Sequence, residues 1–176
     1  MADLDVELCD AMAEGGEALF RLYSRRILKS VACSLVTVLA PDAAGERLIR
    51  VHTNRPDQFP LGPGDVIVDN PWFRRVFGEA APIVANTDAE IRAWIPDFTN
   101  AAELGYASLL NQPVVVGGAV VAVANMMGGK GHFDASRLAS ARAATPLVAL
   151  AIAATAGGFR SFKFPKEASL ASANKR

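Results

Sequence analysis

Cysteine and histidine are scarce in this chain of 176 residues, and their positions exclude several classes of site. The two cysteines are Cys9 and Cys33, and the two histidines are His52 and His132. Two cysteines form neither a disulfide framework nor a zinc-binding spacing. Neither histidine has an acidic residue or a cysteine at metal-ligand spacing, so both are interpreted as ordinary strand or loop residues. The sequence therefore predicts no metal site and no bound cofactor.

Long hydrophobic runs and an excess of basic residues are also missing. No apolar run approaches the roughly 18 residues of a membrane-spanning helix, and the acidic N-terminus lacks the features of a secretory signal. The net charge is zero: residues 1–158 carry 13 basic and 17 acidic side chains (−4), whereas residues 159–176 carry five and one (+4). Nucleic-acid binding requires a basic face. We therefore expect a cytoplasmic protein without a nucleic-acid or membrane partner.

The motifs of common catalytic and nucleotide-binding sites do not occur. The sequence GGKGH, residues 128–132, lacks the first glycine and the Ser or Thr of a phosphate-binding loop, and it is interpreted as a glycine-rich turn. Neither the Gly-x-Ser-x-Gly elbow of hydrolases nor the His-Glu-x-x-His motif of metalloproteases is present in the sequence. We predict no catalytic residue.

Long helices are expected near both ends of the chain. Apolar residues recur at intervals of three and four over residues 3–30, where Gly15 and Gly16 mark a kink, a break or two shorter helices. A second helix is predicted over residues 134–156, bent at Pro146 because proline removes one helical hydrogen bond. Residues 1–158 are interpreted as a single domain, and the polar, basic residues 159–176 as a disordered tail.

Short elements are predicted between the two long helices. They are a hairpin of residues 31–40 and 47–54, a surface loop over 56–65, a helix over 71–80, a strand over 82–85 and helical segments over 89–94 and 97–106. Asp69 or Asn70 is expected to cap the first of these helices, whose first residue is Pro71. The chain thus mixes strands and helices in an α+β arrangement.

A Gly-Gly hairpin precedes the C-terminal helix. Gly117 and Gly118 join two apolar segments, and a two-residue turn of this kind needs the positive φ that glycine adopts readily. The alternation places Val121, Val123 and Met127 on one face of the second strand and Val120, Ala122, Ala124 and Met126 on the other. A strand that is apolar on both faces is predicted to be covered on both.

Three segments carry a resemblance to the GAF domain, a small-molecule sensor module. GYASLLNQPVVVGGAVVAVANMM resembles the closing hairpin of that family, GHFDASRLASARAATPLVALAI its final helix, and PWFRRVFGEAAPIVAN its helix–turn–strand unit. The resemblance covers residues 4–156. It implies an antiparallel sheet of five to six strands with the N- and C-terminal helices on one face. Short helices and loops would then enclose a pocket on the other face.

Two ligand classes known for GAF domains fit this sequence poorly. Cyclic-nucleotide-binding members carry an Asn-Lys pair, whereas Met126 follows Asn125 here, and the Asp-Glu pair of those members does not follow. Bilin-binding members attach their chromophore through a cysteine near a histidine, and residues 86–110 contain neither. The resemblance therefore implies a small-molecule pocket for an unknown ligand.

Candidate ligand-binding residues follow from the resemblance together with their side-chain chemistry. Aromatic walls and hydrogen-bonding groups are expected from Trp72, Phe73, Phe77, Asn86, Trp94, Phe98, Tyr106, Ser108, Asn111 and Asn125. Ordinary core packing is the alternative for Trp72, Phe77 and Phe98, and also for Tyr106. Arg74, Arg75 and Arg92 are either partners of an anionic ligand or solvated helix residues.

Three functions remain open at the level of the sequence. The leading one is a non-catalytic small-molecule sensor that acts through a partner, or through a homodimer formed by its N- and C-terminal helices. The second is a GAF-fold redox enzyme of the free methionine sulfoxide reductase type using Cys33, although a buried structural cysteine is the favoured interpretation. The third is a protein-interaction module without a ligand.

Overall fold

A computed structural model describes residues 2–155, and the side chains of residues 2–5, 65, 99 and 100 are outside this description. The predicted tail, residues 159–176, lies outside the described residues. Six antiparallel strands form one sheet in the order β3-β2-β1-β6-β5-β4. The strands are β1 Leu35–Pro41, β2 Arg47–Thr53, β3 Gly62–Val66, β4 Ile83–Ala85, β5 Ser108–Val116 and β6 Ala119–Gly128. The predicted α+β class and strand number are confirmed.

Helices lie before, between and after the strands. They are α1 Ala2–Glu14, α2 Gly16–Ser30, α3 Pro71–Phe73, α4 Asp88–Trp94, α5 Thr99–Glu103, α6 Ala135–Ala143 and α7 Thr145–Ala153, and α3 continues as a π-helical turn over Arg74–Gly78. Asn70 caps α3, Thr87 and Glu90 form a capping box at α4, and Asp134 caps α6. These caps explain why the helices begin where they do.

Each long helix predicted near a chain end is divided into two helices. The N-terminal one breaks at Gly15, whose φ of 105° lies in a region that glycine adopts without strain. The C-terminal one breaks between Ala143 and Thr145, and Pro146 is placed in the first turn of α7, where its missing N–H removes no helical bond. Pro146 therefore marks the break, as expected, but it does so by starting a new helix rather than by removing a hydrogen bond from a continuous one.

The predicted surface loop over residues 56–65 contains an edge strand, so that prediction was wrong for its second half. β3 pairs with β2 through Arg47 and Val66, and through Ile49 and Pro63. Proline is tolerated there because an edge strand needs hydrogen bonds on one side only. The first strand also begins later than predicted, at Leu35, because Ala32 has a φ of 57° and interrupts an extended chain.

A β-bulge in the Gly-Gly hairpin changes which side chains of β6 share a face. Val114 pairs with Ala122 whereas Val115 pairs with Val120, so Val121 is an extra residue in the strand. Val121 consequently packs on the helix side and Val120 on the opposite side. The strict alternation expected from the sequence was therefore wrong for these two valines, and the strand is covered on both faces as predicted.

The two faces of the sheet have different coverings. On one face, α2 and α7 pack against each other and on the strands, α6 packs on α2 and α7, and α1 packs on α2. On the other face, two smaller apolar clusters join the sheet to α3, the π-helical turn, α4 and α5. This is the layered arrangement that the GAF resemblance implied.

Candidate functional site

A cavity of about 660 Å³ lies on the face of the sheet opposite the long helices. Its floor is formed by β1, β2, β5 and β6, and its walls by Phe59, by residues 66–73 and by residues 94–97. We call it the sheet-face cavity. Its volume is within the range of about 300–1,000 Å³ that is typical of small-molecule sites.

Three polar side chains cross the floor of this cavity in one line, which we call the polar row. Thr37 on β1 pairs with Asn125 on β6, and Asn125 pairs with Asn111 on β5. All three are buried, with 4%, 7% and 2% of their surface exposed. The rows on either side are apolar and consist of Leu35, Met127 and Leu109, and of Leu39, Val123 and Pro113. The polar row is therefore a narrow polar feature within an apolar floor.

Hydrogen bonds run along the polar row in one direction. Trp72 Nε1 donates to Asn111 Oδ1 (2.8 Å), Asn111 Nδ2 donates to Asn125 Oδ1 (2.6 Å), and Asn125 Nδ2 donates to Thr37 Oγ1 (3.3 Å). The indole N–H can donate but cannot accept. Trp72 thus fixes the orientation of the Asn111 amide, which in turn fixes that of Asn125.

The wall of the sheet-face cavity carries charge as well as aromatic surface. Arg50 donates from Nη1 to the carbonyl oxygen of Pro60 (3.0 Å), and its guanidinium carbon lies 5.5 Å from the centre of the Phe59 ring. Asp97 also lines the cavity and is exposed to solvent. Val66 and Val68 line it with 54% and 58% of their surfaces exposed, so apolar surface faces solvent at this wall.

Five of the ten predicted site residues line the sheet-face cavity: Trp72, Phe73, Trp94, Asn111 and Asn125. They come from α3, α4, β5 and β6, which are distant in sequence. Both tryptophans of the chain are among them. The structure therefore brings these five predicted residues together at one cavity.

The three other predicted aromatic residues do not line the cavity. Phe77 is buried and stacks on Phe73 with ring centres 4.9 Å apart, because the π-helical turn directs it into the core. Phe98 is buried in the cluster that packs around α4 and α5. Tyr106 is buried in the same cluster and donates its hydroxyl to Gln58 Oε1 (2.8 Å). All three have the core role that the sequence had left as the alternative.

The two other predicted polar residues also have different positions. Asn86 links β4 to the segment before α6, since its Nδ2 donates to Phe133 O (2.9 Å) and its Oδ1 accepts from Phe133 N (2.9 Å). Ser108 is fully buried at the start of β5, and its hydroxyl makes no hydrogen bond with the described residues. Neither contributes to the cavity lining.

Thr37 and Arg50 were missed by the sequence reasoning. Both have a polar side chain in the middle of an otherwise apolar or alternating strand, and both line the sheet-face cavity. Such a polar residue within a strand is visible in the sequence. Assigning it to the cavity, however, requires knowing which strands are neighbours in the sheet. The three arginines considered for an anionic ligand instead pair with exposed acids: Arg74 with Asp69, Arg75 with Glu79 and Arg92 with Asp88.

The thiol of Cys33 is poorly suited to nucleophilic chemistry. Cys33 is buried in the cluster on the helix side of the sheet, away from the cavity lining. Burial raises the pKa of Cys33 to about 12, so the thiol is protonated at neutral pH. Tyr23 is completely buried in the same cluster, and burial raises the pKa of its hydroxyl too. The burial of Cys33 and its raised pKa both match a cysteine with a structural role.

The described residues contain neither a metal-binding cluster nor a helix suited to span a membrane. Among residues 2–155, no group of three or more His, Cys, Asp or Glu side chains is placed to hold a metal ion. No helix within this range combines the length and the apolar character needed to cross a bilayer.

Comparisons with known proteins identify the fold. No family model and no curated protein matches the sequence. Among solved structures, the GAF domain of an Acinetobacter phosphoenolpyruvate-protein phosphotransferase matches with a TM-score of 0.60 and 11% identity, over 77% of this chain and 81% of that one. The GAF domain of a two-component sensor histidine kinase from Bacillus halodurans matches with a TM-score of 0.58 and 15% identity, over 78% and 92%.

A third structure gives the same assignment. The GAF-B domain of DevS from Mycobacterium smegmatis matches with a TM-score of 0.55 and 21% identity, over 77% of this chain and 91% of that one. Identities this low establish architecture rather than ligand or activity. The sheet order, the helix layer and these matches agree: the chain has the fold of a GAF domain.

Proposed function

We propose that this chain is a non-catalytic sensing domain that binds a small molecule in the sheet-face cavity. The observation that carries the proposal is the polar row, which places hydrogen-bonding groups at the floor of a cavity with largely apolar walls. A few polar groups in an apolar cavity are what orient a small ligand. The similarity to the GAF domain of a two-component sensor histidine kinase supports a sensing role.

Ligand-induced stabilisation tests this proposal. We expect one compound of a panel containing cyclic nucleotides, organic acids, amino acids and methionine sulfoxide to raise the melting temperature. A compound at 100 times its dissociation constant adds about 2.7 kcal/mol to the free energy of unfolding, which is about 5–10 °C for a domain of this size. The absence of any shift across the panel would favour the module that acts by protein contacts.

Two valine variants connect the stabilisation to the cavity. Val68 lines the cavity and is exposed, so Val68→Trp should obstruct the cavity without disturbing the core. Val115 is similarly exposed, at 47%, in the Gly-Gly hairpin and does not line the cavity, which makes Val115→Trp the matched control. Val68→Trp should lose the shift and Val115→Trp should keep it. Equal shifts in both variants would place the binding site elsewhere.

We propose further that the domain acts through a homodimer or a partner that contacts α1. The sequence had suggested that the C-terminal helix takes part in a dimer. In α7, however, Val148 and Ile152 are buried within the domain, in the cluster on the helix side of the sheet. Val6 and Met12 on α1 are instead 60% and 51% exposed. Met12→Glu should therefore convert a dimer into a monomer in light scattering. A wild-type protein that is monomeric at micromolar concentration would leave the partner as the remaining route.

The alternative redox function depends on Cys33, and its burial and high pKa argue against a reactive thiolate. In the native state we expect a thiol probe to label the exposed Cys9 rapidly and Cys33 only after unfolding. Cys9→Ser should remove the rapid phase. Rapid labelling that persists in Cys9→Ser, together with sulfoxide reduction that Cys33→Ser abolishes, would restore the enzymatic function.

A further inference from the structure

We propose that the sheet-face cavity takes a small molecule with a carboxylate group and an apolar or aromatic body. This inference rests on the proposed function and adds the chemical class of the ligand. It comes from the direction of the hydrogen bonds in the polar row, from the guanidinium in the cavity wall and from the apolar surface around them.

The polar row presents hydrogen-bond donors to the cavity. Each asparagine amide has two N–H groups and one oxygen. Both oxygens already accept, Asn111 Oδ1 from Trp72 and Asn125 Oδ1 from Asn111, and among the described residues each amide nitrogen donates once. Thr37 Oγ1 already accepts from Asn125, which leaves its hydroxyl hydrogen available. Two N–H groups and one O–H are therefore the groups best placed to meet a ligand, and they require an acceptor.

Arg50 adds positive charge to the same cavity. It is on the strand next to β1, where it pairs with Leu39, one step from Thr37 along the cavity side of β1. Hydrogen bonds with a charged partner are about twice as strong as neutral ones, so donors beside a guanidinium favour an anionic oxygen over a neutral one. The carboxylate of Asp97 also lines the cavity, but it is exposed, and water screens its repulsion.

The remaining lining specifies the body of the ligand. Val66 and Val68 are two of the large apolar side chains that are strongly exposed, and both line this cavity. Trp72 and Trp94 add half-buried aromatic surface. An apolar group of the ligand would remove this surface from water, which is the main source of affinity in such sites. A small hydrophilic anion would leave it exposed.

Three probes with the same ring separate the possible head groups: phenylacetate, phenylacetamide and phenethylamine. Both tryptophans line the cavity, so binding can be followed by intrinsic fluorescence. We expect phenylacetate to bind at least 10-fold more tightly than phenylacetamide, and phenethylamine to bind most weakly. Stronger binding of the amide or the amine would overturn the carboxylate assignment. It would leave the proposed function intact if Val68→Trp abolished that binding.

Matched arginine variants test the role of charge. Arg50→Gln should weaken phenylacetate about 10- to 100-fold, the usual effect of losing a charge-assisted hydrogen bond. Arg47 is on the same strand and donates to the Gly64 carbonyl oxygen as Arg50 does to that of Pro60, but it does not line the cavity. Arg47→Gln should therefore change affinity less than 2-fold. Equal effects in the two variants would contradict a direct contact with Arg50.

Variants of the polar row test the donors themselves. Asn125→Asp replaces the amide NH2 group with a negatively charged oxygen at nearly the same position and should abolish phenylacetate binding, and Thr37→Val should weaken it about 10-fold. Circular dichroism would verify that both variants fold, and if Asn125→Asp does not, Thr37→Val and Arg50→Gln carry the test. Unchanged affinity in both folded variants would overturn the inference. No binding of the three probes and no hit in the panel would overturn the proposed function with it.

Discussion

The two faces of the sheet are formed by the same strands but are covered in different ways. On the helix side, β6 contributes Ala122 and Ala124, which are completely buried under the layer formed by α2 and α7. On the cavity side, the same strand contributes Asn125 to the floor of the sheet-face cavity. Small side chains under regular helices allow close packing, whereas short helices and irregular segments leave space. One face therefore stabilises the fold, and the other is available for binding.

Identical truncations on the two faces should have unequal effects on stability, and the truncation on the helix side should have the largest effect that we expect. Leu22 on α2 is fully buried among the helices, whereas Leu39 on β1 is partly exposed and lines the cavity. Leu22→Ala should lower the free energy of unfolding by about 3–4 kcal/mol because it creates a new void. Leu39→Ala should lower it by about 1–2 kcal/mol because part of its surroundings is already empty. Urea denaturation measures the free energy of unfolding of both variants. Equal losses would mean that the cavity side of the sheet is packed as tightly as the helix side.

Acid sensitivity should come from the helix side, through His52. Its Nε2 lies 2.7 Å from Ser24 Oγ, and its ring stacks on Phe20 at 5.3 Å. Burial lowers the pKa of His52 from its ordinary value of 6.5 to about 4, and nearby Glu17 opposes this shift. Between pH 6.5 and 4 the unfolded chain binds a proton that the native state does not. Stability present above pH 6.5 is therefore lost as the pH falls to 4, by at most about 3 kcal/mol.

The His52→Gln variant isolates this contribution. It lacks the titrating group, so its free energy of unfolding should fall less over the same range of pH. Denaturant unfolding of both proteins at pH 7, 5.5 and 4 gives the difference between their free energies of unfolding. Contributions from other titrating groups are common to both proteins and cancel in this difference. A constant difference between the two proteins would show that His52 titrates normally in the native state.

Replacing a glycine by alanine should destabilise the protein more at the contact of α2 with α7 than in an open turn. A Cβ at Gly16 would lie 2.7 Å from the carbonyl oxygen of Ala151 and 2.7 Å from Cγ2 of Thr155. Gly16→Ala should therefore destabilise by about 2 kcal/mol, although alanine favours helix by about 1 kcal/mol. Gly129→Ala, whose Cβ meets no atom within 4 Å, should change stability by less than about 0.5 kcal/mol. A stabilised Gly16→Ala protein would mean that the helices can move apart freely.

The sequence predicted those parts of the fold that local signals determine. Asn70 caps the helix that begins at Pro71, as one of the two residues expected there, and Gly117 and Gly118 form the turn with φ of 58° and 82°. β3 was missed because its Gly-Pro-Gly segment has no strand propensity of its own, and its pairing with β2 alone makes it a strand. Local sequence patterns cannot predict that pairing of β3 with β2.

The site was harder to predict than the fold because it depends on register. Asn111 and Asn125 were candidates because of the GAF resemblance and their hydrogen-bonding side chains, but Thr37 joins them only through the pairing of β1 with β6. Phe77 and Phe98 have the same chemistry as cavity residues, and a π-helical turn and a short helix direct them into the core. The sequence identifies which residue types can line a cavity, whereas the pairing of distant strands decides which of them do line it.

Removing the first hydrogen bond of the polar row should affect stability only modestly, but it would show which groups select the ligand. Trp72→Phe keeps an aromatic ring at this position but removes the N–H that donates to Asn111 Oδ1, so it should destabilise by about 1 kcal/mol. Without that donor, the Asn111 and Asn125 amides can rotate together and present oxygens to the cavity as readily as N–H groups. The preference for phenylacetate over phenethylamine should therefore shrink in fluorescence titrations, now reported by Trp94. If the preference stayed at its wild-type value, Arg50 rather than the polar row would select the ligand.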